Sequence, residues 1–208
     1  MSKKLLSPFA LNDQQVEQFQ LFMVHLNKWS KAINLTALKT EEEFWDGHIV
    51  DSLLPFHLQT LPELTQDLKL ADLGSGAGLP AIPLSIMWPQ VQVYPIETVG
   101  KKIAFQEHVK LHLKLKNLHP TEGRLENLTV DPELAGTFDM VTARALDKTT
   151  GLMHWSDRLL KDGGSLVLWK GEKWKEEESQ TTEAQKAGYK LIEKYQGHRG
   201  VILHYLKQ

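Results

Sequence analysis

The chain has 208 residues, 41% of them hydrophobic and 24% charged, with a formal net charge of -2. These values suit one soluble globular domain with a small extension, and no apolar run approaches the ~20 residues that a bilayer requires. The chain contains no cysteine, which excludes disulfides, thiolate metal sites and a cysteine nucleophile; with a start, MSKKLLSPFALND, that turns polar too early for a secretory signal, a cytoplasmic location is expected.

Residues 12 to 33 predict an amphipathic helix. Asn12 and Gln15 form a capping box, and Val16, Phe19, Phe22 or Met23, Leu26, Trp29 and Ile33 recur at three- and four-residue steps. Thr40 with Glu43 marks a second helix start, and Pro55 lies near that helix's end. Residues 1–65 therefore read as a helical extension, and residues 66–208 as a cofactor-binding domain. In the second part, LKLADL, LPAIPLSIMW, VQVYPIE and KKIAFQEHVKLHLKL are followed by LHPTEG, FDMVTARA, GLMHWSDRLL and SLVLWK. A charged helix near 172–187 and the runs YKLIEKYQ and VILHYLK complete the chain. Strands alternating with helices predict an α/β fold with a mostly parallel sheet covered on its faces. The last two runs have no long helix between them and predict an antiparallel hairpin.

The segment ADLGSGAGLP joins the first strand to the next helix, where an open parallel sheet binds ligands. A phosphate-binding P-loop is excluded, because no Lys-Ser or Lys-Thr follows the last glycine. The dinucleotide fingerprint G-x-G-x-x-G also fails: counted from Gly74, its third glycine falls on Leu79. Asp72, two residues before Gly74, would repel a pyrophosphate and attract a cation. S-adenosylmethionine carries a sulfonium and an amino group and no phosphate. Glu97, which ends the second strand, can accept hydrogen bonds from two ribose hydroxyls. The order acid, loop with Gly74, Gly76 and Gly78, helix, strand, acid therefore favours S-adenosyl-L-methionine over a structural turn or a dinucleotide site.

Several segments together resemble the RsmG (glucose-inhibited division protein B) family of small-subunit rRNA methyltransferases. They are NKWSKAINLT, HIVDSL, DLGSGAGLPAIPLSI, ETVGKKIAF, GRLENL, FDMVTARAL and LWKG. The resemblance implies a class I, Rossmann-like fold with a seven-stranded sheet, and methylation of a guanine at N7 in 16S rRNA. It also implies cofactor contacts from Gly74, Leu79, Glu97, Leu125, Glu126 and Arg144, and a reaction site surrounded by Arg124, Arg144, Lys170 and Arg199. Four positions depart from the family pattern: Ser30 for asparagine, Gly47 for a basic residue, Ala81 for glycine and Glu97 for the commoner aspartate.

The chemistry agrees with this expectation. Guanine N7 has an in-plane lone pair, so the site must position it and needs no general base. Pyrimidine C5 methylation uses a thiolate that this chain lacks, and where amino-group methyltransferases carry an (Asp/Asn)-Pro-Pro-aromatic stretch the chain reads TARA. Arg144 is expected to orient the guanine through O6, with Lys170 beside it. The helix that begins at Lys101 and Lys102 also bears Lys110, Lys114 and Lys116, a candidate phosphate-binding face that protonation of His108, His112 and His119 would extend. His108 and His112 are four apart, but no third ligand accompanies them and no metal is expected. The expected partner is small-subunit rRNA or the small ribosomal subunit. Two alternatives stay open from the residues alone: a methyltransferase of another substrate class, and a non-catalytic RNA-binding module on the same fold.

Overall fold

The computed structural model describes residues 9–36, 40–57, 61, 64, 67–129, 131–144, 148–179, 188–198 and 200–208. Helix α1 runs Asp13–Ile33 and starts at the expected capping box: Asn12 accepts the Gln15 amide, and the Gln15 side chain accepts the Asn12 amide. Its apolar stripe buries Phe19, Phe22 and Leu26, so of the two candidates at that turn Phe22 faces the core. The second capping box, Thr40 with Glu43, starts a short helix α2, Glu41–Phe44. The expected single helix is interrupted by a π-helical turn, Trp45–Val50, before α3, Asp51–His57, which carries Pro55 inside it. Such wide turns recur at functional sites.

Seven strands follow: β1 Lys69–Leu73, β2 Gln92–Glu97, β3 Thr121–Glu122, β4 Phe138–Arg144, β5 Leu160–Lys170, β6 Tyr189–Gly197 and β7 Gly200–Lys207. Their order in the sheet is β3-β2-β1-β4-β5-β7-β6. Strand β7 pairs antiparallel with β5 and β6, and the other pairings are parallel. The seven-stranded α/β sheet and the closing hairpin are thus as expected, although the strand read in LHPTEG is only two residues long. The connecting helices are α4 Ala81–Met87, α5 Gly100–Leu113, α6 Leu125–Leu128, α7 Thr149–Leu159 and α8 Trp174–Ser179. Only the first part of the charged helix near 172–187 is described; residues 180–187 lie outside the described residues.

The sheet has an apolar cluster on each face. On one, Phe22 of α1 packs edge-on to Phe44 and meets Phe105 of α5, with Trp45, Ile49 and Ile82 in the same cluster. On the other, Leu152, Met153 and Leu159 of α7 cover Val141 and Leu166. Full burial of each such side chain contributes roughly 1.5–3 kcal/mol, and several together hold α1 against α4 and α5. The chain changes direction across the sheet between β1 and β4, and the carboxyl ends of these strands form the crevice where such sheets bind ligands.

Candidate functional site

At the end of β1 the backbone turns through Gly74, Gly76 and Gly78, all with positive φ. Gly78 has φ +76°, and a Cβ there would run into the buried Ile82 side chain, so both backbone and space oppose a side chain. The loop is tied down from three sides. The Ser75 amide donates to the Ile96 carbonyl of β2. Gln106 of α5 donates through Nε2 to Ser75 Oγ and to the Gly76 carbonyl, at 2.8 and 2.9 Å. Asp72, fully buried, accepts the Ala81 amide at 3.3 Å and the Thr142 hydroxyl at 2.9 Å, joining the loop's far end to β4. Burial pushes the Asp72 carboxyl up to about 7, against the hydrogen bonds from Thr142 and Ala81 and the charge of Arg144.

Glu97 ends β2 beside the loop and is held by five donors. Oε2 accepts the Gly76 amide at 3.1 Å and the Lys102 ammonium at 3.2 Å. Oε1 accepts the Thr98 amide at 2.8 Å, the Val99 amide at 3.1 Å and the Thr98 hydroxyl at 3.3 Å. Burial opposes ionisation, but the Val99 and Thr98 amides and Lys102 outweigh it and hold the carboxyl below its ordinary pKa. Glu97 is therefore a carboxylate at neutral pH.

Two cavities open at this end of the sheet. Gly74, Ile96, Glu97, Leu125, Glu126 and Trp155 line the first, with Thr98 and Gly123. Gly74, Glu97, Leu125 and Glu126 of the expected cofactor set thus come together there. Asp72 lies wholly beneath the loop, Gly76, Gly78 and Leu79 form the loop itself, and these four do not line the cavity. Residue types capable of holding an adenosyl group are present: a carboxylate for ribose hydroxyls, apolar Ile96 and Leu125 for a flat base, and the bare backbone of Gly74.

The second cavity is lined by Asp51, Arg144, Trp169 and Lys170, with the glycines of the β6–β7 turn. Arg144 and Lys170 stand at the ends of β4 and β5 and share this space, as their strand positions lead one to expect. Arg144 donates through Nη2 to the Gly47 carbonyl at 2.6 Å and lies 3.5 Å from Asp51 Oδ2. It does not line the first cavity, where the cofactor contact expected of it would fall. Lys170 is buried and ion-pairs with Glu177 of α8.

Of the remaining expected residues, Arg124, Lys101 and Lys102 are described and line neither cavity. Arg124 is the exposed N-cap of α6, and Lys101 is exposed in the first turn of α5. Lys102, read from sequence as a phosphate contact, has its ammonium on Glu97. Arg199 lies outside the described residues. His108 and His119 add less charge than the sequence suggests. His108 meets His25 of α1, Nε2 to Nδ1, at 2.9 Å, and burial, then the neighbouring histidines, holds the pKa of His108 below its ordinary value. Burial, then Lys110, does the same to His119. Among the described residues no group of three or more His, Asp or Glu is arranged to hold a metal, and no helix is long and apolar enough to cross a membrane.

Sequence reasoning missed Gln106, Asp51, Thr98 and Trp155. A glutamine or a tryptophan on an amphipathic helix carries no local sign of which cavity it reaches. Asp51 lay in the HIVDSL segment, which matched as a motif without a role.

Comparison with known proteins adds a family to this geometry. The model of the family described as rRNA small subunit methyltransferase G matches residues 15–199. The ribosomal RNA small subunit methyltransferase G of Desulfitobacterium hafniense (strain Y51) is 37% identical over 174 residues, covering 84% of this chain and 70% of that protein. The protein of that name from Streptococcus equi subsp. zooepidemicus (strain H70) is 36% identical over 191 residues, covering 92% and 78%. Among solved structures, a SAM-dependent methyltransferase from Aquifex aeolicus superimposes with TM-score 0.61 at 15% identity, covering 85% of this chain and 98% of that one, which is a likeness of fold. With a family match across most of its length and these identities, the chain belongs to the rRNA small subunit methyltransferase G family.

Proposed function

We infer that the chain transfers a methyl group from S-adenosylmethionine to N7 of a guanine in small-subunit rRNA. The observation that carries this reading is the adjacency of two unlike cavities at the switch point of the sheet. One combines a buried carboxylate with apolar walls, and the other presents Arg144 and Lys170. The cofactor, when bound, supplies an electrophilic methyl on a sulfonium. Glu97 is suited to hold its ribose, Ile96 and Leu125 to flank its base, and Gly74 to let the chain approach closely.

Arg144 presents a planar donor fork suited to the O6 edge of guanine, and Lys170, paired with Glu177, lies beside it. The only carboxylate among the described residues lining this second cavity is Asp51, and its oxygens already face Arg144 and the His198 amide. Glu177, the carboxylate on Lys170, is likewise engaged by a cation, so both neighbouring carboxylates are paired, which suits N7, an acceptor that needs no general base. Lys101, Arg124 and Arg199 are proposed to meet rRNA phosphates, with Lys102 shared between that role and Glu97. The helical extension, residues 1–65, is proposed to complete the guanine side of the domain at 66–208, through Gly47 and Asp51. A cytoplasmic location follows from the substrate and belongs to the same proposal.

Single-turnover transfer of labelled methyl to small-subunit rRNA tests the reading, with the modified nucleoside identified afterwards. The rate is expected to be nearly flat between about pH 6.5 and 8.5, where a tuned base would titrate. A steep rise with pH in the chemical step would refute N7. Label entering protein or a small molecule and not RNA would favour another substrate class, and RNA binding without transfer would favour a non-catalytic module.

A further inference from the structure

We propose that Asp51 is a positioning residue for methyl transfer: it holds the Arg144 guanidinium in the orientation that the target base requires. The inference rests on the reading of the second cavity given above and extends it to a residue outside the cofactor-binding domain.

Asp51 begins α3 directly after the π-helical turn and is buried. It joins three separate pieces of the cavity. Oδ2 lies 3.5 Å from Arg144 Nη2 at the end of β4. Oδ1 accepts the His198 amide in the β6–β7 turn at 2.8 Å. Its own carbonyl accepts Trp169 Nε1 at 2.9 Å, next to Lys170 at the end of β5. The Gly47 carbonyl, one turn earlier, accepts the same Arg144 nitrogen at 2.6 Å. A guanidinium carries several rotatable bonds behind its fork, and an unrestrained one would lose that freedom each time it engaged a base. Here the helical extension supplies two oxygens that fix it beforehand. A Cβ on Gly197 would stand 3.1 Å from Oδ1, so glycine at that position leaves the carboxylate its place beside the β6–β7 turn. With one oxygen facing Arg144 and the other bound to an amide, Asp51 is placed to orient and not to abstract a proton.

The substitution D51N keeps the volume and an acceptor for the His198 amide and removes the charge facing Arg144. Cofactor affinity is expected to stay within twofold, because Asp51 does not line the first cavity. The single-turnover rate at saturating rRNA is expected to fall tenfold or more, with the RNA concentration for half-saturation little changed; a displacement of about 1 Å can cost 10²-fold. R144A combined with D51N should be no slower than R144A alone, because the two act as one unit. Additive losses, or a D51N enzyme with full rate, would overturn the proposal. A readout free of activity is the side-chain NMR of arginine labelled with ¹⁵N, with Arg144 assigned from its loss in R144K. Restricted guanidinium rotation in the wild type, released in D51N, supports positioning, and identical signals in both overturn it. If the wild type transfers no methyl to rRNA, the functional reading fails while the NMR comparison still decides the role of Asp51. Should D51N not fold, D51S, which retains a short acceptor for the His198 amide, is measured in its place.

Discussion

Replacing Glu97 by glutamine separates the carboxylate's charge from its shape. Three donors meet Oε1 and two meet Oε2, so the new amide nitrogen settles on the Oε2 side, facing the Gly76 amide and the Lys102 ammonium. A hydrogen bond to a charged acceptor contributes roughly 1.5–3 kcal/mol, and the partly exposed Lys102 pair adds at most about 1 kcal/mol. E97Q should therefore lose about 1.5–4 kcal/mol of stability, which in a chain of this size lowers the melting midpoint by roughly 3–16 °C. The loss has a pH signature. Glu97 is depressed in the folded state, so its contribution is complete above the unfolded carboxyl pKa of about 4.3 and disappears as pH falls through the folded value. The gap between wild type and variant should be full at pH 7 and close below about pH 4. Because the Gly76 amide belongs to the glycine loop, the same substitution should weaken S-adenosylmethionine binding about tenfold or more, equivalent to about 1.4 kcal/mol. Differential scanning calorimetry across pH and titration calorimetry at pH 7 measure both effects. Equal midpoints at pH 7 together with affinities within twofold would refute the reasoning.

Asp72 gives the opposite pH sign. Its folded pKa is raised to about 7, so the folded state holds a proton that the unfolded chain has released, and this group's contribution to stability falls as pH rises from about 4 to 7. D72N should remove that dependence, making the midpoint difference, variant minus wild type, grow between pH 5 and pH 8 in thermal scans. G78A should destabilise by more than about 1 kcal/mol, since φ +76° and the Ile82 side chain both oppose a methyl, and denaturant unfolding will record it as a lower midpoint. K170M should leave cofactor affinity unchanged in calorimetry but slow single-turnover methylation about 10²-fold, through loss of a buried positioning charge.

Much of the fold was legible in the sequence because local physics determined it. Both capping boxes form as read, Asn12 with Gln15 and Thr40 with Glu43, because a cap needs only residues within one turn of each other. The strand and helix alternation from Leu68 onward, and the closing hairpin, follow from apolar periodicity and connection length. The glycine loop was legible for the same reason: failure of two phosphate-binding spacings and the acids at 72 and 97 are properties of a short stretch. The π-helical turn at Trp45–Val50 left no such sign, because a single wide turn changes the periodicity of only a few residues.

Tertiary structure decided what each charged side chain faces. Asp72 reads as a charged acid beside the ligand that attracts a cation, yet the pairing of β1 with β4 buries it against Thr142 and pushes its pKa up. Lys102 reads as a phosphate contact, yet the turn from β2 into α5 sets its ammonium on Glu97, only five residues earlier, a local pairing that spacing alone did not single out. Arg144 reads as pointing into a cleft, but its partners, Gly47 and Asp51, are nearly a hundred residues away in sequence. Periodicity and spacing carry information over a few helical turns. The sign and partner of a buried charge depend on which distant elements the hydrophobic core brings together: for Asp72 that is the pairing of β1 with β4, and for Arg144 the docking of the N-terminal helices against the ends of the strands.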